Sequence, residues 1–180
     1  MISSKLIFDW KVDQFGWHTK VKSRRLARGD MQRKYSDFGD LYAPTVASSS
    51  VRLLAALARG LDLELCHFDI DQAFVRADLP EDVYMRLPEW CRSLSGKVVK
   101  LSKSLHGLRQ ASRQLYALLK KCLLALGCVQ CLADSCVSRL VEGGKVVMHL
   151  VVHVDIFAMG KKEKCVSSVR ISDVSFQSSR

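Results

Sequence analysis

No stretch of this chain approaches the roughly 18 consecutive apolar residues that a membrane-spanning helix needs. The N-terminus also lacks a signal peptide: Met1 is followed by Ile-Ser-Ser-Lys-Leu, with neither a long apolar core nor a small-residue cleavage site. There is no internal repeat. The seven cysteines are odd in number and irregular in spacing, which argues for reduced thiols in an intracellular, cytoplasmic setting rather than a secreted disulfide framework. Cys128-Val-Gln-Cys131 has the spacing of half a zinc site, with Cys122 and Cys136 nearby. No second close pair of cysteines or histidines completes it.

Acidic residues are the other scarcity. Eighteen Asp and Glu face 28 Lys and Arg, giving a formal charge of +10 and a pI near 9.4. Such a surplus suits a polyanionic partner, nucleic acid first and an acidic membrane surface second; a solvated basic surface is the bland alternative. With 48% hydrophobic and 26% charged residues, the 180-residue chain has a globular composition. Its length fits one full domain or a large domain cut short.

The first 35 residues alternate apolar and charged character, and Gly16 marks a hairpin turn between two strands. Lys20, Lys22, Arg24, Arg25, Arg28, Arg33 and Lys34 lie on or just after the second strand. A basic ribbon of this kind either contacts phosphates or blunts a sheet edge. "APTVASSSVRLLAALARGLDL" predicts a helix with candidate N-caps at Ser48 to Ser50, an apolar face of Val51, Leu54, Ala55 and Ala58, and a stop at Gly60.

"LELCHFDI" predicts a short buried strand, "LPEDVYMRLPEW" a loop and extended segment, and "KVVKLSKSL" another strand. A long helix is expected from Gly107 to Leu126, with Leu108, Leu115, Leu118, Leu119, Cys122 and Leu126 on one stripe. A hairpin turning at Gly143-Gly144 follows, its second strand running to Asp155. Residues 161–180 read as a polar tail without a core of its own. This order predicts an α+β domain with a mainly antiparallel sheet.

Two strands far apart in sequence end in acids: Asp69 in "CHFDIDQAF" and Asp155 in "VVHVDIF". Side by side in one sheet, they would bring two carboxylates to its rim, where hard divalent cations prefer oxygen donors. On the residues alone the plainer reading prevails, that acids at strand ends are ordinary turn formers.

Six blocks occur here in the order and spacing of one family: "VKSRRLARG", "LYAPTVASSSVRLLAALA", "LCHFDIDQAFVRADLPEDVYMRLP", "KVVKLSKSLHGLRQASRQLY", "LGCVQCLADSCVSRLV" and "LVVHVDIFAMG". Together, over residues 5–160, they resemble the reverse transcriptase domain of the Pol polyprotein of copia-type LTR retrotransposons. The resemblance implies a fingers-and-palm polymerase fold with an antiparallel palm sheet. It also implies RNA-directed DNA synthesis with two Mg²⁺ ions, acting on an RNA or DNA template with its primer and on deoxynucleoside triphosphates, without a membrane.

By position, Asp69 and Asp155 resemble the catalytic, metal-holding aspartates, with the Ile70 carbonyl a further ligand and Asp71 a neighbouring solvent- or template-side acid. Phe74 resembles the residue that packs under the nucleotide sugar; an aromatic ring there excludes a 2′-hydroxyl, while from the residues alone a core role is as good a reading. Gly107, Arg109 and Gln110 resemble the segment beside incoming nucleotide and template. Lys22 and Arg24 resemble residues that reach the triphosphate.

Three departures stand out. Ser112 replaces a proline common in relatives. His153 stands in a tyrosine place, and "HVDIFAMG" carries one aspartate where the family has two, one residue short of the usual distance to Gly160. Side chains alternate along a strand, so such a deletion is expected to push Ile156 or Phe157 toward the site and to reduce or abolish polymerase activity. The last departure is at the ends. Nothing after Gly160 resembles the family's continuing palm, thumb or RNase H regions, and nothing before Lys5 resembles integrase, so the domain is expected to stop before the thumb.

Overall fold

The computed structural model describes residues 1–70, 72–152, 155–161 and 176–178. Strands β1 (Ser4–Val12) and β2 (His18–Ala27) come first, then helix α1 (Ser48–Gly60) and strand β3 (Glu64–Ile70). A single helical turn, α2 (Ala73–Arg76), precedes the short strands β4 (Tyr84–Arg86) and β5 (Val98–Lys100). Helix α3 (Ala111–Ala125) leads into β6 (Cys128–Gln130), β7 (Val137–Glu142), β8 (Lys145–Val152) and β9 (Ile156–Gly160), and β10 (Phe176–Ser178) is the last strand described. The architecture is mixed α and β, and every strand pairing is antiparallel.

The chain divides into two compact units. One comprises Met1–Leu41 and Phe74–Gln114, the other Tyr42–Ala73 and Leu115–Arg180. In the first, β1 and β2 form the expected hairpin around Gly16, whose φ of +84° only glycine adopts without strain. Its core gathers Ile2, Ala27, Leu79, Val83, Met85 and Leu108. The segment expected to be loop and extended chain supplies β4, which pairs with β5 and also takes backbone hydrogen bonds with Ile2.

The second unit is a six-stranded sheet in the order β10-β3-β9-β8-β7-β6. Gly143 and Gly144, both at positive φ, make the tight turn between β7 and β8 as the sequence predicts. Side-chain alternation splits the sheet into two faces. Val137, Val151 and Met159 pack against Leu54 and Ala58 of α1. On the other face Met148, Leu150 and Ile156 line a cavity of about 300 Å³ with Leu123 of α3.

Three expectations are corrected. The long helix starts at Ala111, not Gly107, because Gly107 has a φ of +93°, and it ends at Ala125. The serines at 48–50 lie inside α1, whose N-cap is Ala47; its backbone N–H is taken instead by Asp134, 3.1 Å away. Within the expected tail, Phe176–Ser178 forms β10, pairing with Phe68–Ile70 at the sheet edge.

Candidate active site

Strand β3 forms because Cys66, Phe68 and Ile70 alternate with His67 and Asp69, turning the first set to one side of the sheet and the second to the other. Phe68 and Ile70 are buried, whereas Asp69 is exposed. In the β3–β9 register Phe68 faces Ile156 and His67 faces Phe157. The last paired residues are Phe68 and Ile156, with Asp69 and Asp155 each one residue beyond them in the chain. His67 Nε2 lies 3.1 Å from Asp155 Oδ2, and the His67 ring stacks on Phe157 at 4.8 Å between centroids and 26° between planes. The carboxylates at 69 and 155, the imidazole and the phenyl ring thus share one face.

The same face carries an apolar groove of about 820 Å³ whose walls include Val51, Leu54, Leu65, His67, His149 and Phe157. His149, directly opposite Arg139 in the β7–β8 register, has its pKa pushed down by burial and then by that guanidinium.

Among the described residues, the donors do not make up sites for two hard cations. Each ion requires several oxygen ligands at close range. Here one oxygen of Asp155 is engaged by His67, and the residue after Asp155 is Ile156, 2% exposed and apolar. No group of three or more His, Cys, Asp or Glu side chains is arranged to hold a metal among the described residues. Ile70 closes β3 opposite Phe176, its side chain buried. Asp71 and His153 lie outside the described residues.

The other expected site residues belong to the first unit. Phe74 is partly buried against the core of Ile2, Ala27 and Leu108, its ring 4.5 Å from that of His106. Gly107 does permit a close approach, but to protein: a Cβ there would stand 2.3 Å from the Ala27 carbonyl oxygen. A Cβ on Gly29 would in turn stand 2.1 Å from the Gly107 carbonyl oxygen. The two glycines let the backbone after β2 lie directly on the segment before α3.

Gln110 is placed differently from the nucleotide contact expected of it. It is 0% exposed; its amide nitrogen donates to the Asp37 carbonyl at 3.0 Å and its amide oxygen accepts from Gln32 Nε2 at 3.0 Å. The Gln32 oxygen accepts from the Arg109 backbone N–H at 2.9 Å. Two glutamines thereby bond each other and two backbone groups, and both polar side-chain atoms of Gln110 are engaged within the protein. Arg109 donates through Nε to the Gly29 carbonyl at 3.0 Å and lies over the Phe38 ring. It lines an open pocket of about 490 Å³ with Lys34, Phe38 and Asp40.

Lys22 is exposed on β2 opposite Asp9, whereas Arg24 is ion-paired with Asp9 at 2.6 Å. The sequence reading overlooked Asp134. Its carboxylate accepts hydrogen bonds from Ala47 N–H, Ser50 Oγ and Cys136 N–H. Burial acts to raise its pKa, but these bonds outweigh it and hold the carboxyl below its ordinary range. Backbone N–H groups of Asp134 and Ala133 likewise lower the Cys131 thiol, while burial raises Cys128.

Residues 1–175 match the family model described as reverse transcriptase (RNA-dependent DNA polymerase). The chain belongs to the reverse transcriptase family. The match extends 15 residues past Gly160, into the segment expected to diverge. Among curated proteins, the chain is 32% identical over 173 residues to the retrovirus-related Pol polyprotein from transposon TNT 1-94 of Nicotiana tabacum, covering 94% of the chain and 13% of that protein. It is 31% identical over 157 residues to the corresponding polyprotein from transposon RE1 of Arabidopsis thaliana, covering 86% of the chain and 11% of the relative. The RE2 polyprotein of the same plant is 28% identical over the same share. This reverse transcriptase segment of the copia-type Pol polyprotein thus spans little more than a tenth of its curated relatives. No solved structure matches it.

Proposed function

We propose that this chain is a fingers-and-palm portion of an RNA-directed DNA polymerase whose nucleotidyl transfer is strongly impaired. The hairpin unit corresponds to the fingers and the six-stranded sheet to the palm. Asp69 and Asp155 are the surviving acids of a site that in the family works with divalent ions, Mg²⁺ by expectation. Lys22, Arg24 and Arg109 supply positive charge for triphosphate and template phosphates, and Phe74 packs as a core aromatic beside His106.

The observation that carries this reading is the make-up of the face beside Asp69. Phe157, 47% exposed, stands on it, His67 occupies an oxygen of Asp155, and buried Ile156 follows Asp155 directly. An apolar side chain after Asp155 removes an oxygen donor, and the imidazole competes for another. Transition-state charge on the transferring phosphoryl group is then poorly neutralised.

Primer extension on an RNA template with Mg²⁺ or Mn²⁺ is the test. The unaltered chain should incorporate little or no deoxynucleotide, and inserting Asp after Asp155 should raise incorporation. Efficient extension by the unaltered chain overturns the proposal. The second reading, a non-catalytic nucleic-acid-binding remnant, is favoured by the net charge of +10. It predicts salt-sensitive binding and no incorporation even after the insertion.

A further inference from the structure

The β1–β2 hairpin is two-faced. On one face the cross-strand pairs Ile7–Arg24, Asp9–Lys22 and Lys11–Lys20 set four cations against one acid. The other face carries Phe8 and Trp10, 64% and 65% exposed, opposite Ser23 and Val21. Folding normally buries such rings, since each is among the largest apolar side chains available.

The row extends in both directions. Toward the turn, His18 lies 5.0 Å from the Trp10 ring. The Asp13 carboxylate accepts the Phe15 and Trp17 backbone N–H groups, and both rings are at least 74% exposed. Toward the base, Arg25 lies 4.5 Å over the ring of half-exposed Trp90. Trp10 and Trp17 therefore belong to this hairpin, and Trp90 stacks under its Arg25.

We propose that this aromatic face is a stacking platform for unpaired nucleotides, a binding surface for single-stranded nucleic acid separate from the Asp69 site. It deepens the nucleic-acid reading above and rests on it. Successive rings on one strand face stand about 7 Å apart, and every base offers a π-face, so stacking there is independent of sequence. Charge selects the occupant. Residues 4–27 hold six Lys and Arg against two Asp, which repels a second copy of the chain and attracts a polyanion. A duplex keeps its bases stacked internally and offers the rings no face, so the platform distinguishes one strand from two.

The experiment uses the full chain in EDTA without nucleotides, so polymerisation cannot contribute. Binding of labelled oligothymidylate and of an equally long duplex is read by anisotropy, and tryptophan emission reports engagement of the platform. The single strand should bind more tightly and quench the emission. Combined Phe8→Ala and Trp10→Ala should weaken single-strand binding about tenfold or more with little effect on the duplex. The ring-retaining pair Phe8→Tyr and Trp10→Phe should keep it. Equal affinity for strand and duplex, or unchanged single-strand binding by the alanine variant, overturns the proposal. So does self-association of the free protein, seen by sedimentation, that the alanine variant abolishes. Because incorporation is read in a separate assay, failure of the polymerase reading leaves these results unaffected.

Discussion

His67 holds Asp155 from the neighbouring strand: its Nε2 lies 3.1 Å from the carboxylate Oδ2, while its ring stacks on Phe157. A single side chain thus links the acid and the aromatic of the candidate site. The groups are about one-third exposed, which limits the ionic part to less than about 1 kcal/mol. Stacking between directly opposed cross-strand rings adds about 0.5–1 kcal/mol. A double-mutant cycle with His67→Ala and Phe157→Ala, read by urea denaturation, should give a coupling of that size. A second cycle pairing His67→Ala with Asp155→Ala should give less. Coupling near zero in both would show that the three side chains act independently.

Gln110 is a structural amide. Replacing it with Ala leaves the Asp37 carbonyl and Gln32 Nε2 only their long 3.5 Å hydrogen bond to each other and opens a void. Gln110→Ala should cost about 2–4 kcal/mol, lowering the urea midpoint of the unit holding the hairpin. Gln110→Glu should cost at least as much, because the carboxylate cannot donate to the Asp37 carbonyl. If both variants kept the parent's midpoint, the bridge between Gln32 and Gln110 would be dispensable.

At Gly107 two independent penalties coincide. Its φ of +93° is unfavourable for any residue with a Cβ, and that Cβ would meet the Ala27 oxygen. Gly107→Ala should therefore destabilise by about 2 kcal/mol or more, well beyond Gly16→Ala, where φ is +84° but nothing lies within 4 Å. Thermal melts of the two variants side by side separate conformational strain from steric overlap.

These residues also show what was legible beforehand. Gly16, Gly143 and Gly144 announced their turns because alternating strands flank them, and that pattern is local. Asp69 and Asp155 were legible as acids at strand ends, and the pairing of β3 with β9 puts the strands they adjoin side by side. Period two also puts His67 on the face of Asp69, a signal that was present and not used. The roles of Gln32, Gln110 and Asp134 were not readable, since the groups that tie distant segments together through them lie 73–78 residues away for the glutamines and 84–87 for Asp134. At Gly107 the signal was the glycine itself, but nothing local shows that the backbone lying against it is that of Ala27, 80 residues earlier.

Two depressed pKa values make stability fall with acidity in two steps. His149 is shifted down by burial and by Arg139 across the strand pair, so the unfolded chain takes up its proton first. Its contribution is complete above the unfolded value of about 6.5 and is lost as pH falls through the lower folded value. Asp134 behaves alike at more acid pH: the stability its hydrogen bonds confer is present above about 3.9 and lost as pH falls through its depressed folded value. Urea midpoints measured from pH 7 downward should decline first just below 6.5 and again below about 4. His149→Phe should flatten the first step alone. Asp134→Asn should flatten the second and, by weakening the cap it provides at the start of α1, lower the midpoint at neutral pH by about 1 kcal/mol. A first step that persists in His149→Phe would assign the pH response to another group.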